Sequence, residues 1–128
     1  MTVGVLLFAH GARDPQWARP FEQVAAELRM ARPDAAVRLA FLEFMSPTMA
    51  EAGASLAAGG CTRIEVVPLF LGAGGHVRKD VPELFARLQT EHPHVRFSLH
   101  RAVGEEASVI TAMARAAAAL LDDHSAFP

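Results

Sequence analysis

Four apolar runs, at residues 3–9, 37–42, 64–71 and 95–99, alternate with four stretches whose apolar residues recur every three or four positions. The runs have the length of strands, and their unbroken hydrophobicity suits parallel strands covered on both faces. After the first run, Trp17, Phe21, Val24, Ala25 and Leu28 mark the buried stripe of a helix, with Asp14-Pro15 as its cap and first-turn proline. Pro20 lies inside that stretch, so either a short turn over residues 15–18 precedes the helix or the helix kinks there. Arg32-Pro33-Asp34 breaks it. Ser46-Pro47 repeats the cap-and-proline device for a second helix, which Gly59-Gly60 ends. Pro68 limits ladder bonding near the end of the third strand. Asp80 and Glu83 have the shape of a capping box for a third helix, with Val81, Leu84, Phe85 and Leu88 facing inward. Residues 103–121 form an alanine-rich final helix with Val109, Ile110, Met113, Ala117 and Leu120 inward, and residues 122–128 a frayed tail. The pattern predicts one α/β domain over residues 1–128: three layers, a four-stranded parallel sheet with helices on both faces.

Composition narrows the function classes. With 128 residues and 52% apolar content the chain can bury a single core. Its net charge of −2 offers no basic field for nucleic acid. No apolar run is long enough to cross a bilayer, so no membrane partner is expected. No basic segment or small-residue cleavage site suggests a signal peptide, and the only cysteine, Cys61, excludes an internal disulfide. A cytoplasmic location is the expectation, with Cys61 a structural thiol.

Three ionisable residues change the picture. Glu43 lies 33 positions after His10, and His76 another 33 after Glu43. That interval is about one strand–crossover–helix unit, so two imidazoles and a carboxylate should emerge at the carboxyl edge of one sheet, where open α/β folds keep their ligand crevice. Such a donor set suits a divalent transition metal. Gly11 lets the chain turn sharply after His10, and Glu43, bracketed by apolar residues, is costly to bury without a partner or cation. Gly72, Gly74 and Gly75 mark a loop delivering His76, with Arg78 and Lys79 beside it. Neither the P-loop spacing nor a dinucleotide fingerprint is present there. His92, His94 and His124 read as solvated, while His100, ending the fourth strand, could line the crevice rim.

Read together, three segments resemble the class II tetrapyrrole chelatases. They are Leu7-Phe8-Ala9-His10-Gly11-Ala12-Arg13-Asp14, then Phe41-Leu42-Glu43 with Pro47, then Val67-Pro68-Leu69-Phe70-Leu71 with Gly75-His76 and Asp80-Val81-Pro82. The short, single-domain sirohydrochlorin cobaltochelatase/ferrochelatase form is the most similar. The likeness covers about residues 3–85, and Ala12 stands where that family commonly has serine. The resemblance implies ATP-independent insertion of a divalent metal (cobalt favoured over iron, nickel within reach) into a reduced, polycarboxylate tetrapyrrole, for cobalamin or sirohaem. His10, Glu43 and His76 would be the catalytic and metal-handling residues. It also implies a homodimer, since longer relatives look like two such halves fused, and no permanently bound cofactor, the metal being substrate. The macrocycle needs an apolar slot, for which Phe44, Met45, Phe70 and Leu71 are candidates. Its carboxylates need cations, for which Arg13, Arg78 and Lys79 are candidates.

Other readings are open. Gly53-Ala54-Ser55-Leu56-Ala57 loosely matches a hydrolase nucleophile elbow, but Ser55 falls within a helical run rather than on a strand-to-helix turn. Phosphohistidine chemistry of the mutase type wants arginine before the histidine, where Ala9 stands. A non-catalytic metal or tetrapyrrole carrier would need the same ligands as the enzyme.

Overall fold

In the computed structural model the described residues are 2–72 and 74–123, with the backbone alone for Gly75 and His76. The chain runs β1 (Thr2–Ala9), a 3₁₀ turn (Pro15–Ala18), α1 (Arg19–Ala31), β2 (Ala35–Phe41), α2 (Met49–Ala58), β3 (Cys61–Pro68), α3 (Gly75–Glu91), β4 (Arg96–Leu99), a second 3₁₀ turn (Val103–Glu105) and α4 (Ala107–Leu120). All strand pairs are parallel, in the order β2-β1-β3-β4. β1 therefore has a hydrogen-bonded neighbour on each side, which explains why Leu6, Phe8 and Ala9 have no solvent exposure.

The two sheet faces carry separate cores. Leu6, Phe8, Ala40, Ile64 and Val66 pack with Met49 and Leu56 of α2 and with Val81 and Leu88 of α3. The opposite face sets Val5, Leu7, Val37 and Leu39 against Ala25 and Leu28 of α1. Helices on both faces of a four-stranded parallel sheet agree with the expectation from sequence.

The structure decides one open alternative and revises other local devices. The chain resolves the Pro20 ambiguity by making a 3₁₀ turn over Pro15–Ala18, capped by Asp14 through the Gln16 N–H, before α1 starts. Ser46-Pro47 is not the cap of α2. It is a cis peptide in the preceding loop, and the cap is Thr48, whose hydroxyl accepts from the Glu51 N–H while Glu51 accepts from the Thr48 N–H. β3 runs only to Pro68, which has no N–H to donate; the Leu69 N–H still donates to the Phe8 carbonyl of β1 at 2.8 Å, and Phe70 and Leu71 lie beyond. α3 starts at Gly75 with Gly74 as its cap, which places Asp80 and Glu83 inside the helix rather than at its start.

The largest departure is α4. None of its residues is buried, and Ile110, Met113 and Leu120, expected inward, are 53%, 43% and 63% exposed. Asp122 and Asp123 continue its end with N–H bonds to Ala119 and Leu120, and the rest of the expected frayed tail lies outside the described residues. Among the described residues no helix is long and apolar enough to cross a membrane.

Candidate metal and macrocycle site

The central ladder carries two of the three sequence-selected residues past the end of its strands. The Leu42 N–H donates to the Ala9 carbonyl (2.9 Å), and the Glu43 N–H to the His10 carbonyl (3.1 Å). His10 and Glu43 thus leave adjacent strands side by side, and their side chains meet with His10 Nε2 2.9 Å from Glu43 Oε1. Both side chains are 40% exposed, so the pair is open to a solute from the sheet's carboxyl edge. The approach depends on Gly11, whose φ of +92° is a conformation natural to glycine. A Cβ there would collide with the Glu43 carbonyl.

His76 follows in the first turn of α3, at the end of the β3–α3 connection. It belongs to a helix rather than to the loop expected for it, and its side chain lies outside the described residues. Among the described residues, no three His, Cys, Asp or Glu side chains gather as they would around a metal ion.

Phe70 forms the wall next to His10, their rings meeting edge-on at 6.3 Å between centroids. Phe70 also meets Phe8 of β1 edge-on at 6.0 Å and is itself buried. On the far side of Phe70 opens a cleft of about 500 Å³ between the start of α3 and the turn after β4. Phe70, Val77, Val81, Pro82, Leu99 and Ala102 supply apolar lining, and Leu71, 64% exposed, stands at its edge. Its charged lining is Arg78, Arg101 and Glu105. The turn is held close: the Gly104 N–H donates to the Phe70 carbonyl at 2.9 Å, and any side chain at Gly104 would strike the Leu71 carbonyl.

The other expected slot and cation residues are distributed differently. The Arg13 guanidinium stacks over the exposed Phe44 ring at 4.5 Å. Phe44 holds a left-handed φ of +66°, unusual for a side-chain-bearing residue and costly enough to mark a constrained turn next to Glu43. Met45, like Trp17 and Phe21, packs against the buried cluster of Ala9, Ala18 and Phe41, and it does not line the cleft. Lys79 is exposed on α3 and does not line the cleft. His100 does reach the cleft, with its Nε2 2.9 Å from Glu65 Oε1. His94 is exposed, His92 tilts against Phe97, and His124 lies outside the described residues. Ser55 sits exposed in the middle of α2, where no elbow can form. Cys61 is buried and free, and burial pushes its thiol up, away from thiolate chemistry. Arg101 was not singled out by any motif; only its place just past strand four, on the same sheet edge, could have drawn attention to it.

Comparison with known proteins places this geometry. Residues 4–120 match the CbiX family. The sirohydrochlorin cobaltochelatase of Methanococcoides burtonii is 35% identical over 82 residues, covering 64% of this chain and 63% of the relative. That of Methanosarcina acetivorans is 36% identical over 84 residues, covering 66% and 65%. The match thus spans a little under two thirds of the length of these curated relatives. That of Saccharolobus solfataricus is 36% identical over 95 residues, covering 74% and 72%. Among solved structures, a CbiX protein of cobalamin (vitamin B12) biosynthesis from Marinobacter aquaeolei superposes with a TM-score of 0.83 at 32% identity, over 94% of this chain and 98% of that one. SirB from Bacillus subtilis with Fe³⁺ gives 0.78 at 26% identity, over 90% of this chain but 46% of that one.

Proposed function

The chain belongs to the CbiX family, and on that footing we propose that it is a chelatase inserting a divalent metal into sirohydrochlorin without ATP. The observation that carries this reading is the His10–Glu43 pair, half exposed at the sheet's carboxyl edge and separated by Phe70 from an apolar cleft with a cationic rim.

The chemistry needs little else. Insertion must strip water from the cation and remove two protons from the pyrrole nitrogens. A neutral imidazole can replace a water on the metal or accept a pyrrole proton, since its reference pKa, about 6.5, is near working pH. Glu43, bonded to His10 Nε2, holds the ring's orientation and stabilises the imidazolium that forms on proton uptake. If the ring instead binds the cation through Nε2, the carboxylate moves over to share it. His76 is the third group, supplied from the first turn of α3. Imidazole and carboxylate accept Fe²⁺, Co²⁺ and Ni²⁺ in an order set by the metals themselves. Cobalt is our first choice, in keeping with the names of the curated relatives.

A homodimer is part of the same proposal. This chain matches 46% of the length of the SirB structure, and α4 has an apolar stripe with nothing buried on it. A second copy would supply the other half and cover that stripe.

The test is spectrophotometric: purified protein, sirohydrochlorin and Co²⁺ or Fe²⁺, no ATP, with the absorbance change followed against the uncatalysed rate. Many turnovers per protein chain are expected. A shift that stops at one equivalent would identify a carrier and overturn the enzymatic reading.

A further inference from the structure

We infer that Arg101, working with Arg78 across the cleft, binds a peripheral carboxylate of the macrocycle and makes the site selective for carboxylate-rich tetrapyrroles. The identity of the ligand rests on the chelatase reading; the assignment of Arg101 rests on the following geometry.

Arg101 lies on a backbone fixed from both sides. Before it, the His100 N–H donates to the Val66 carbonyl at 2.9 Å, extending the β3–β4 ladder by one residue. After it, Ala102 is buried and Gly104 is bonded to Phe70, the ring that also contacts His10. A long cationic side chain on an anchored backbone has a defined reach, which is what orientation of a ligand requires. Arg78 lines the same cleft from α3, so two cationic residues share it with apolar lining that suits the edge of a flat macrocycle.

Its present partner does not disqualify it. Arg101 Nε donates to Glu106 Oε1 at 3.1 Å, and these side chains are 62% and 48% exposed. Exposed pairs of this kind hold weakly, and the contact uses one of five N–H donors of the guanidinium. An incoming carboxylate can take the planar fork as a bidentate partner, which Lys cannot offer. Glu105, on the same lining, repels a carboxylate that settles away from the guanidinium groups and so narrows the accepted pose. Arg13, the cation nearest His10 in sequence, is stacked on Phe44 instead.

The experiment measures binding of metal-free sirohydrochlorin through its own fluorescence, together with KM and kcat for Co²⁺ insertion. Arg101→Gln should weaken macrocycle binding and raise KM about tenfold with kcat nearly unchanged, and Arg101→Lys should fall between. The methyl-esterified macrocycle should bind wild type and Arg101→Gln alike. Affinity for Co²⁺ alone should not move. If wild type binds sirohydrochlorin and Arg101→Gln binds it equally, the assignment of Arg101 is overturned while the chelatase reading stands. If wild type binds no tetrapyrrole, the chelatase reading itself fails.

Discussion

His10 and Glu43 are joined twice, once through their side chains at 2.9 Å and once where the Glu43 N–H meets the His10 carbonyl at 3.1 Å. The backbone bond does not depend on either side chain, so the side-chain chemistry can be removed without taking the strands apart. Glu43→Gln should keep the fold and lower turnover by about 10- to 100-fold, the range for losing a group that orients a metal-handling histidine. His10→Ala and His76→Ala should each abolish the larger part of turnover with an unchanged circular dichroism spectrum. Full rates in both histidine variants would remove the site assignment.

Gly11 and Gly60 allow the close approach of Glu43 to be separated from ordinary backbone strain. Both have positive φ, +92° and +95°, but a Cβ at Gly60 meets nothing within 4 Å while one at Gly11 collides with the Glu43 carbonyl. Gly60→Ala should cost about 1–2 kcal/mol in urea unfolding, the penalty for a left-handed alanine. Gly11→Ala should cost more and also depress metal insertion, because Glu43 has to move. Equal losses in both would mean that the contact is easily relieved.

The exposed stripe on α4 makes a statement about assembly. An isolated helix of 14 residues is marginal in water, so α4 gains by docking. Sedimentation equilibrium should find a dimer for the wild type and a monomer for the double substitution Ile110→Lys and Met113→Lys. A monomeric wild type, or an unaffected double variant, would count against the pairing surface.

The α2 cap should be visible in stability. Thr48→Ala removes one half of the capping box and should cost about 1 kcal/mol. Ser46→Ala, at the position the sequence pattern favoured, should cost much less. Reversal of that order in thermal melts would contradict the capping assignment.

Asp34 gives a pH marker remote from the site. The hydrogen bond from Arg32 is the main cause holding its carboxyl down to about 2. The folded value is below the unfolded one, about 3.9, so its contribution is present above that value and fades as pH falls toward 2. Titration of the Asp34 carboxyl by NMR should show the depressed midpoint, and Arg32→Gln should return it toward 3.9.

Local pattern made the sheet and the pairing of His10 with Glu43 readable because both follow from where strands end. It failed where one signal serves two structures. Leu69, Phe70 and Leu71 are as apolar as the strand before them, but only Leu69 stays tied to β1, through the Phe8 carbonyl, while Phe70 and Leu71 go on to build a wall and a cleft edge. Gly74 caps α3 without a side chain, so the Asp80–Glu83 pattern looked like the better start. Helical periodicity in α4 reports that a face is apolar but not which molecule covers it. Arg101 carried no local pattern at all, since its role depends on how the turn after β4 folds back onto Phe70.

The extension of the β1–β2 ladder beyond Phe41 has a dynamic consequence. Leu42 and Glu43 lie past the last residue of β2, yet their amides are tied to the central strand. Their exchange with deuterated solvent should therefore be slow, set by opening of the sheet itself rather than by fraying, so that a histidine and a carboxylate reached from open water are held as firmly as the interior beneath them.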